Sequence, residues 1–446
     1  MQRDALKKGR SFPLLSLASL PILIFYAVLF REMRDVPILD DYRTFLGFVL
    51  TLRELPSLGS KLLWVISAQN LAYKYPLENM LVAAQWAVTG RVSFIPIMVA
   101  GNLMVLGILW LLWKNYFAEE RNFSRRILLF LPICFVFVQL NYGEALDWAS
   151  SNMDYVPAIF FSFAALHLLL QDSRRCRLGA CLCALLGYLC FPNAFLIAPI
   201  GFWLLLKRRR WKELATWSAA ALFALVLCLF RYQQTAVAAQ GNPATLAGKL
   251  VFFVSLSGAA VENMSRFPIR GGAIVVGGVL LLTFANSLRR RFYRSSPFAF
   301  YSTVWALATV AVITVGRSAP GISISLIPRY KFYSDLLLVY GYGFAVHRID
   351  TVATPLRRKR LLYGATLAAA VCFAAGSDYF GYKFLAHRQQ AVAQGLNAYA
   401  ADPGRNVPMI SMTGQAIPQA EPEQNRKILN EAIATGIYRL PPPERR

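Results

Sequence analysis

The feature that most limits this chain is a series of long apolar runs punctuated by clusters of Arg and Lys. A run of about 20 apolar residues is long enough to cross a bilayer as a helix. The basic clusters fall at Lys7, Lys8 and Arg10, at Arg121, Arg125 and Arg126, at Arg174, Arg175 and Arg177, at Lys207 to Arg210 with Lys212, at Arg289 to Arg291 with Arg294, and at Arg357 to Arg360. Lys and Arg in short loops resist translocation, so these clusters mark the cytoplasmic side. Composition agrees. Of the 446 residues 57% are apolar and 16% charged, against roughly 45–50% and about 25% in a soluble domain. That argues against a soluble globular protein and against disorder. The net charge of +24 does not indicate nucleic acid as a partner. The basic residues punctuate the apolar runs and do not form one face.

The pattern predicts an all-α, polytopic helical membrane protein with about eleven transmembrane helices. They are expected at 12–30, 94–113, 127–140, 155–170, 178–190, 192–206, 214–230, 272–287, 298–315, 332–346 and 361–376. No small-residue cleavage site follows the first run, which reads as an uncleaved signal-anchor. The expected location is the inner (plasma) membrane, multi-pass, with the N-terminus cytoplasmic and the C-terminus extracytoplasmic. The apolar segment 250–261 is too short to cross and reads as re-entrant or interfacial; a full crossing would also break the alternation of sides.

Residues 1–376 form the expected transmembrane domain. Residues 31–93 are its long extracytoplasmic loop, with apolar Phe45, Phe48, Val49, Leu52 and Leu55 at helical spacing. This predicts an amphipathic helix at 42–58 along the membrane surface. Residues 377–446 are a small extracytoplasmic tail, rich in Pro at 403, 408, 418, 422 and 441–443, with short helices near 382–399 and 424–434. The seven Cys include no Cys-x-x-Cys pair, and His167, His347 and His387 lack metal-ligand spacing, so no zinc site is expected.

Only six of the 23 acids fall on the inner side of this map. Acids have little influence on orientation, so the bias needs another explanation, part of which is that the outside segments are longer. Asp40 and Asp41 follow the first span directly in "VPILDDYRTF". Adjacent carboxylates repel each other and lose hydration, which raises a pKa and suits a general base; helix capping is the structural alternative. Glu78 is a second candidate carboxylate, near Asn70, Lys74 and Asn79. The loop "LNYGEALDWASSNMDY" offers Asn141, Glu144, Asp147, Trp148, Asn152 and Asp154, amides and acids for sugar hydroxyls with an aromatic face for the ring. Interfacial anchoring would explain the same aromatics. The loop "VGRSAPGISISLIPRYKFYSD" places Arg317, Arg329 and Lys331 outside, beside Tyr330, where guanidinium groups suit a phosphate. Snorkelling to lipid head groups is the alternative. Asn193, beside Pro192, suits a broken helix.

A long first outer loop that opens with acids just after span one and holds a surface helix resembles the GT-C class of polytopic glycosyltransferases. Gly316-Arg317, then Arg329-Tyr330 before a late span, looks like a bacterial branch of membrane proteins near that class. The resemblance covers most of the chain, which lacks the large soluble C-terminal domain of better-known members. It implies transfer of a hexosyl or pentosyl group from a polyprenyl-phosphate donor to an extracytoplasmic glycan or lipid acceptor, with inversion. Asp40 or Asp41 would activate the acceptor hydroxyl, while Arg317, Arg329 and Lys331 would hold the donor phosphate. Glu78, Tyr330 and the loop 141–154 would bind sugar or acceptor. A metal is optional here, though Asp40, Asp41 and Glu78 could share Mg²⁺ or Mn²⁺.

Two other classes compete. A lipid or oligosaccharide transporter or flippase would place ionisable residues at mid-membrane depth, often within inverted repeats; the apolar runs here carry few charges and no repeat is evident. A membrane acyltransferase would depend on a His, and only His387 falls outside.

Overall fold

The computed structural model describes residues 2–71, 73–234, 243–262, 271–352, 355–411 and 422–441, with side chains from residue 13 onward. The side chains of the basic tip at Lys7, Lys8 and Arg10, and the tail prolines Pro418, Pro442 and Pro443, thus lie outside what is described. The chain is all-α apart from one two-stranded hairpin. Helix α1 (Gln2–Glu32) leads into a π-helical turn at Tyr42–Gly47. Then come α2 (Phe48–Glu54), α3 (Leu58–Ser67), the hairpin β1 (Gln69–Asn70) and β2 (Tyr73–Lys74), α4 (Pro76–Thr89), α5 (Phe94–Asn115) and α6 (Phe123–Phe137). A short α7 (Glu144–Asp147) precedes α8 (Ala149–Leu169), α9 (Arg174–Cys190), α10 (Ile197–Lys207) and α11 (Trp211–Leu229). The second half holds α12 (Leu246–Ser257), α13 (Gly272–Arg289), α14 (Phe292–Ser295), α15 (Pro297–Arg317), α16 (Lys331–Thr351), α17 (Leu356–Ala401) and α18 (Pro422–Ala434).

Among the described residues eight helices are long and apolar enough to cross a membrane: α1, α5, α6, α8, α11, α13, α15 and α17. Of the other three expected spans, α9 has 17 residues and α10 only 11, on either side of the Pro192 break. Helix α16 has 21 residues, but Lys331, Asp335, Arg348 and Asp350 lower its hydropathy. Helix α8 is the axis of the bundle. It packs on α5 and α9, and 72% of its apolar window is buried, as an element apolar on all sides requires. Helices α11 and α13 are the reverse, with 17% buried. They turn Leu222, Phe223, Val226, Val275 and Leu282 outward, the surface a bilayer covers.

Three expectations are corrected. The apolar face at 42–58 is not a membrane-surface helix: Phe45, Phe48, Val49 and Leu52 are buried inside the protein. The segment divides into the π turn and α2, which ends where Leu55 turns extended. Helical spacing marks a face to be covered without saying what covers it. Segment 382–399 is no separate tail helix either. It is the outer part of α17, which runs unbroken for 46 residues, about 69 Å at 1.5 Å per residue. Positions 376 and 377 therefore lie within one helix, and Gly381 lets that helix press onto the backbone of Leu140, which a Cβ would meet at 2.4 Å. Within the tail, 424–434 does form α18. Segment 250–261 remains short: α12 ends in a 3-10 turn at Ala259–Val261, pinned by the Ala260 N–H donating to Ser334 Oγ at 2.9 Å.

Candidate functional site

At the end of the bundle that carries residues 31–93, several segments enclose a cavity of about 220 Å³. The loop after α1 contributes Asp40. Leu39 before it holds φ +49°, a left-handed conformation costly for a β-carbon residue, and Thr44 Oγ1 donates to the Asp40 carbonyl at 3.1 Å. The π turn that follows is a feature found most often at functional sites. The hairpin contributes Asn70 and Tyr73, and Tyr75 follows it. The start of α8 contributes Ser150, Ser151, Asp154 and Tyr155. The Pro192 break contributes Phe191 and Asn193, and the segment from α15 to α16 contributes Arg317, Arg329 and Tyr330.

The walls divide by chemistry. Phe191 stacks parallel to Tyr75 at 6.5 Å and packs against Tyr73 and Tyr155 at 5.5 and 5.1 Å, giving an aromatic side. Arg329 lies 5.6 Å from the Trp148 ring and 5.3 Å from the Tyr330 ring. Arg317 donates to Tyr73 Oη at 3.3 Å. These contacts hold both guanidinium groups on the rim. In the same lining, Asp40 has its carboxyl raised above the usual range by burial, against the attraction of Arg329, a hydrogen bond from Asn70, and Arg43 and Arg317. Glu78 on α4 is buried and raised well above the usual range, by desolvation and then by the charges of Asp41 and Asp40. Its carboxylate faces the hydroxyls of Ser150 and Thr44 without closing a hydrogen bond of normal geometry. Asp154 shares this electrostatic field, and its Oδ1 is buried without a hydrogen-bond partner.

Asp41 is different. It is fully buried and absent from the cavity wall. Its Oδ2 accepts the Ile38 N–H and its Oδ1 the Ser150 N–H, both at 3.0 Å. It thereby ties the loop after α1 to the first turn of α8. Asp40 is the member of the pair that the cavity can reach.

The remaining residues of the sequence reading scatter. Glu144 Oε2 accepts from Arg329 at 2.5 Å, and its other oxygen lies 3.9 Å from Arg388. Asp147 pairs with Arg388 and accepts from Gln389 Nε2 at 2.9 Å. Gly143, at φ +47°, makes the turn that presents these acids. Asn152 donates to the Ala145 carbonyl and fills the space beside Gly101. Lys331 leaves the group expected with Arg317 and Arg329. It is buried just after the 3-10 turn Pro328–Tyr330, away from the cavity lining, donating to Asn141 Oδ1 at 2.8 Å. Lys74 donates to the Phe230 carbonyl, Asn79 to the Val65 carbonyl at 3.1 Å, and Asn193 to Tyr333 Oη at 2.6 Å. Among the described residues no three His, Cys, Asp or Glu side chains converge to hold a metal ion. The Asp40, Asp41 and Glu78 set is therefore not such a group, because both Asp41 oxygens already serve backbone amides.

Comparison of the chain with protein-family models, with curated proteins and with solved structures gives no match.

Sequence reading missed two parts of the site. The aromatic wall carried one weak sign, the alternation of Tyr73 and Tyr75 across Lys74. Arg388 and Gln389 carried none, since α17 delivers them to α7 from some 240 residues away in the chain.

Proposed function

We propose that the chain is a membrane glycosyltransferase of the GT-C type, moving a sugar from a polyprenyl-phosphate donor to an acceptor hydroxyl. The observation that carries the reading is one small cavity lined both by a carboxylate, Asp40, without an ion pair among the described residues, and by two guanidinium groups, Arg317 and Arg329. The cavity is smaller than the roughly 300–1,000 Å³ typical of drug-sized ligands, a size that suits one sugar ring and its phosphate. The aromatic wall would cover the ring's apolar face.

In this reading Arg317 and Arg329 grip the donor phosphate. Arg329 has five N–H donors, so its bond to Glu144 leaves others for phosphate oxygens. The acceptor oxygen attacks the anomeric carbon. The carbon–oxygen bond to the phosphate breaks as the new bond forms, polyprenyl phosphate leaves with the electron pair, and the configuration inverts. The acceptor proton passes to the Asp40 carboxylate, whose raised pKa brings its basicity closer to the working pH. Asp41 positions Asp40 and α8, and Asp154 adds a second acid to the cavity lining. The mechanism needs no metal to neutralise the leaving group, which the two Arg already face. The same reading retains eleven crossings, counting α9, α10 and α16, with the cavity on the extracytoplasmic side of the plasma membrane.

The test is Asp40→Asn in the purified protein, with donor turnover followed by release of polyprenyl phosphate. Loss of general-base catalysis lowers turnover about 10²–10⁴-fold while the protein folds as before. Full turnover in Asp40→Asn rejects the assignment.

A further inference from the structure

A second and larger depression, about 750 Å³, lies beside the cavity. Its floor is the π turn and α2, one wall is α3 with the hairpin, and the other is α18. Asn70, Leu71 and Tyr75 line both spaces, so the groove ends at the cavity wall where Asn70 meets Asp40. Leu71 holds φ +49° at this junction.

From this juxtaposition we infer that the groove binds an oligosaccharide, the acceptor chain whose end is extended in the cavity. This rests on the transferase reading, since it assigns that reaction's second substrate. Four observations favour a glycan. The groove has more than three times the cavity's volume, room for several sugar units where the cavity has room for one. Its charges balance, Arg43 and Lys427 against Glu54 and Glu431, which gives no net attraction for a polyanion. Among the described residues Glu54, Lys427 and Glu431 have no ion-pair partner, so their polar ends are available to hydroxyls. Finally, Trp64 is half-buried with its ring fixed. It stacks on Phe48 at 6.2 Å and 13°, and its Nε1 donates to the Phe48 carbonyl at 3.2 Å. A ring held flat in a polar groove offers a face to the C–H side of a pyranose.

Helix α18 is a fixed wall. Arg43 Nε donates to Asn425 Oδ1 at 3.3 Å, the Val92 N–H to the Ile437 carbonyl at 2.8 Å, and Tyr438 Oη to the Asp35 carbonyl at 2.9 Å. The C-terminal segment thus supplies specificity through Gln424, Lys427 and Glu431, the first two of them exposed.

The experiment presents the full-length protein in nanodiscs to an array of neutral oligosaccharides of two to six units. The wild type is expected to retain a subset. Gln424→Ala with Lys427→Ala, both on the exposed face of α18, should weaken retention at least tenfold with unchanged melting. Asp40→Asn should retain the same subset, because it alters the reaction and leaves the groove whole. If no saccharide is retained above a protein-free disc, or if the α18 variant binds as the wild type does, the inference is overturned. If saccharide binding holds while Asp40→Asn leaves turnover intact, the groove stands and the transferase mechanism falls.

Discussion

Two groups of acids stand within one end of the bundle, and they differ in what opposes them. Glu144 and Asp147 are buried against Arg329, Arg388 and Gln389, each within direct reach of a positive or amide partner. Asp40, Glu78 and Asp154 have neighbours of their own sign, and Asp40 lines the cavity together with Arg317 and Arg329 without an ion pair among the described residues. A carboxylate in a direct ion pair is neutralised where it stands and mainly holds structure. One that lines a void without an ion pair keeps a demand that only a ligand or a proton can meet. Glu144, Asp147 and Asp154 come from a single 14-residue stretch, 141–154, that spans α7 and the first turns of α8, so local sequence does not determine which role an acid takes.

The largest effect should follow from breaking the paired group. Arg388 is 2% exposed and comes from α17. Arg388→Ala leaves Asp147 buried without its cation, and removing one partner of a buried pair costs about 3–5 kcal/mol. Denaturant unfolding in detergent checks this. Arg388→Met combined with Asp147→Leu should recover most of the loss, because no charge is then orphaned. A single variant as stable as the wild type would mean that this pair is no more structural than the cavity acids.

A smaller effect is expected on the cavity side. Arg317 has Tyr73 as its hydrogen-bond partner and no ion pair among the described residues. Arg317→Ala should therefore leave folding nearly unchanged. It removes a hydrogen bond to a charged group, worth about 1.5–3 kcal/mol, which raises the donor KM by roughly tenfold or more. Steady-state kinetics over donor concentration checks it. An unchanged donor KM would leave Arg329 as the only phosphate ligand on that rim.

The membrane character of the chain was legible because it is written in run length and loop charge, both local quantities. The identity of Asp40, Arg317, Arg329, Tyr330, Trp148 and Asp154 as wall residues was legible too, since polar groups at the ends of apolar helices have few places to go. What covers a face was not. Phe45, Phe48 and Val49 have the spacing of a surface helix, and the same spacing serves a helix buried under α18 and α4. Nor did adjacency reveal that Asp40 and Asp41 would point to opposite sides of one loop, or that Asp35 nearby would accept the Phe94 N–H at 2.6 Å at the start of α5. Three acids within seven residues have three different duties, set for Asp35 and Asp41 by backbone amides 59 and 109 residues away and for Asp40 by Arg329 and Asn70.

The smallest predicted effect separates the adjacent pair most cleanly. Burial, then the negative charge of Asp40, pushes Asp41 up to about 8, against the backbone amides of Ile38 and Ser150 that favour its charged form. Its folded pKa lies above the unfolded value of about 3.9, so the folded state holds the proton more tightly. The stability this contributes is fully present below about pH 4, is lost as pH rises through about 8, and is constant beyond that. Asp41→Asn removes the titrating carboxyl, but its Nδ2 cannot accept the second backbone N–H, so its melting temperature at a single pH is not diagnostic and the change with pH is. Between pH 6 and pH 9 the variant should lose less stability than the wild type does. Glu78, raised in the same direction, keeps some slope in both. Melting temperatures at the two pH values decide the matter. An Asp41→Asn protein with the full wild-type slope would show that Asp41 is already ionised in the fold, and the contrast between a structural and a reactive member of the pair would then have to rest on exposure alone.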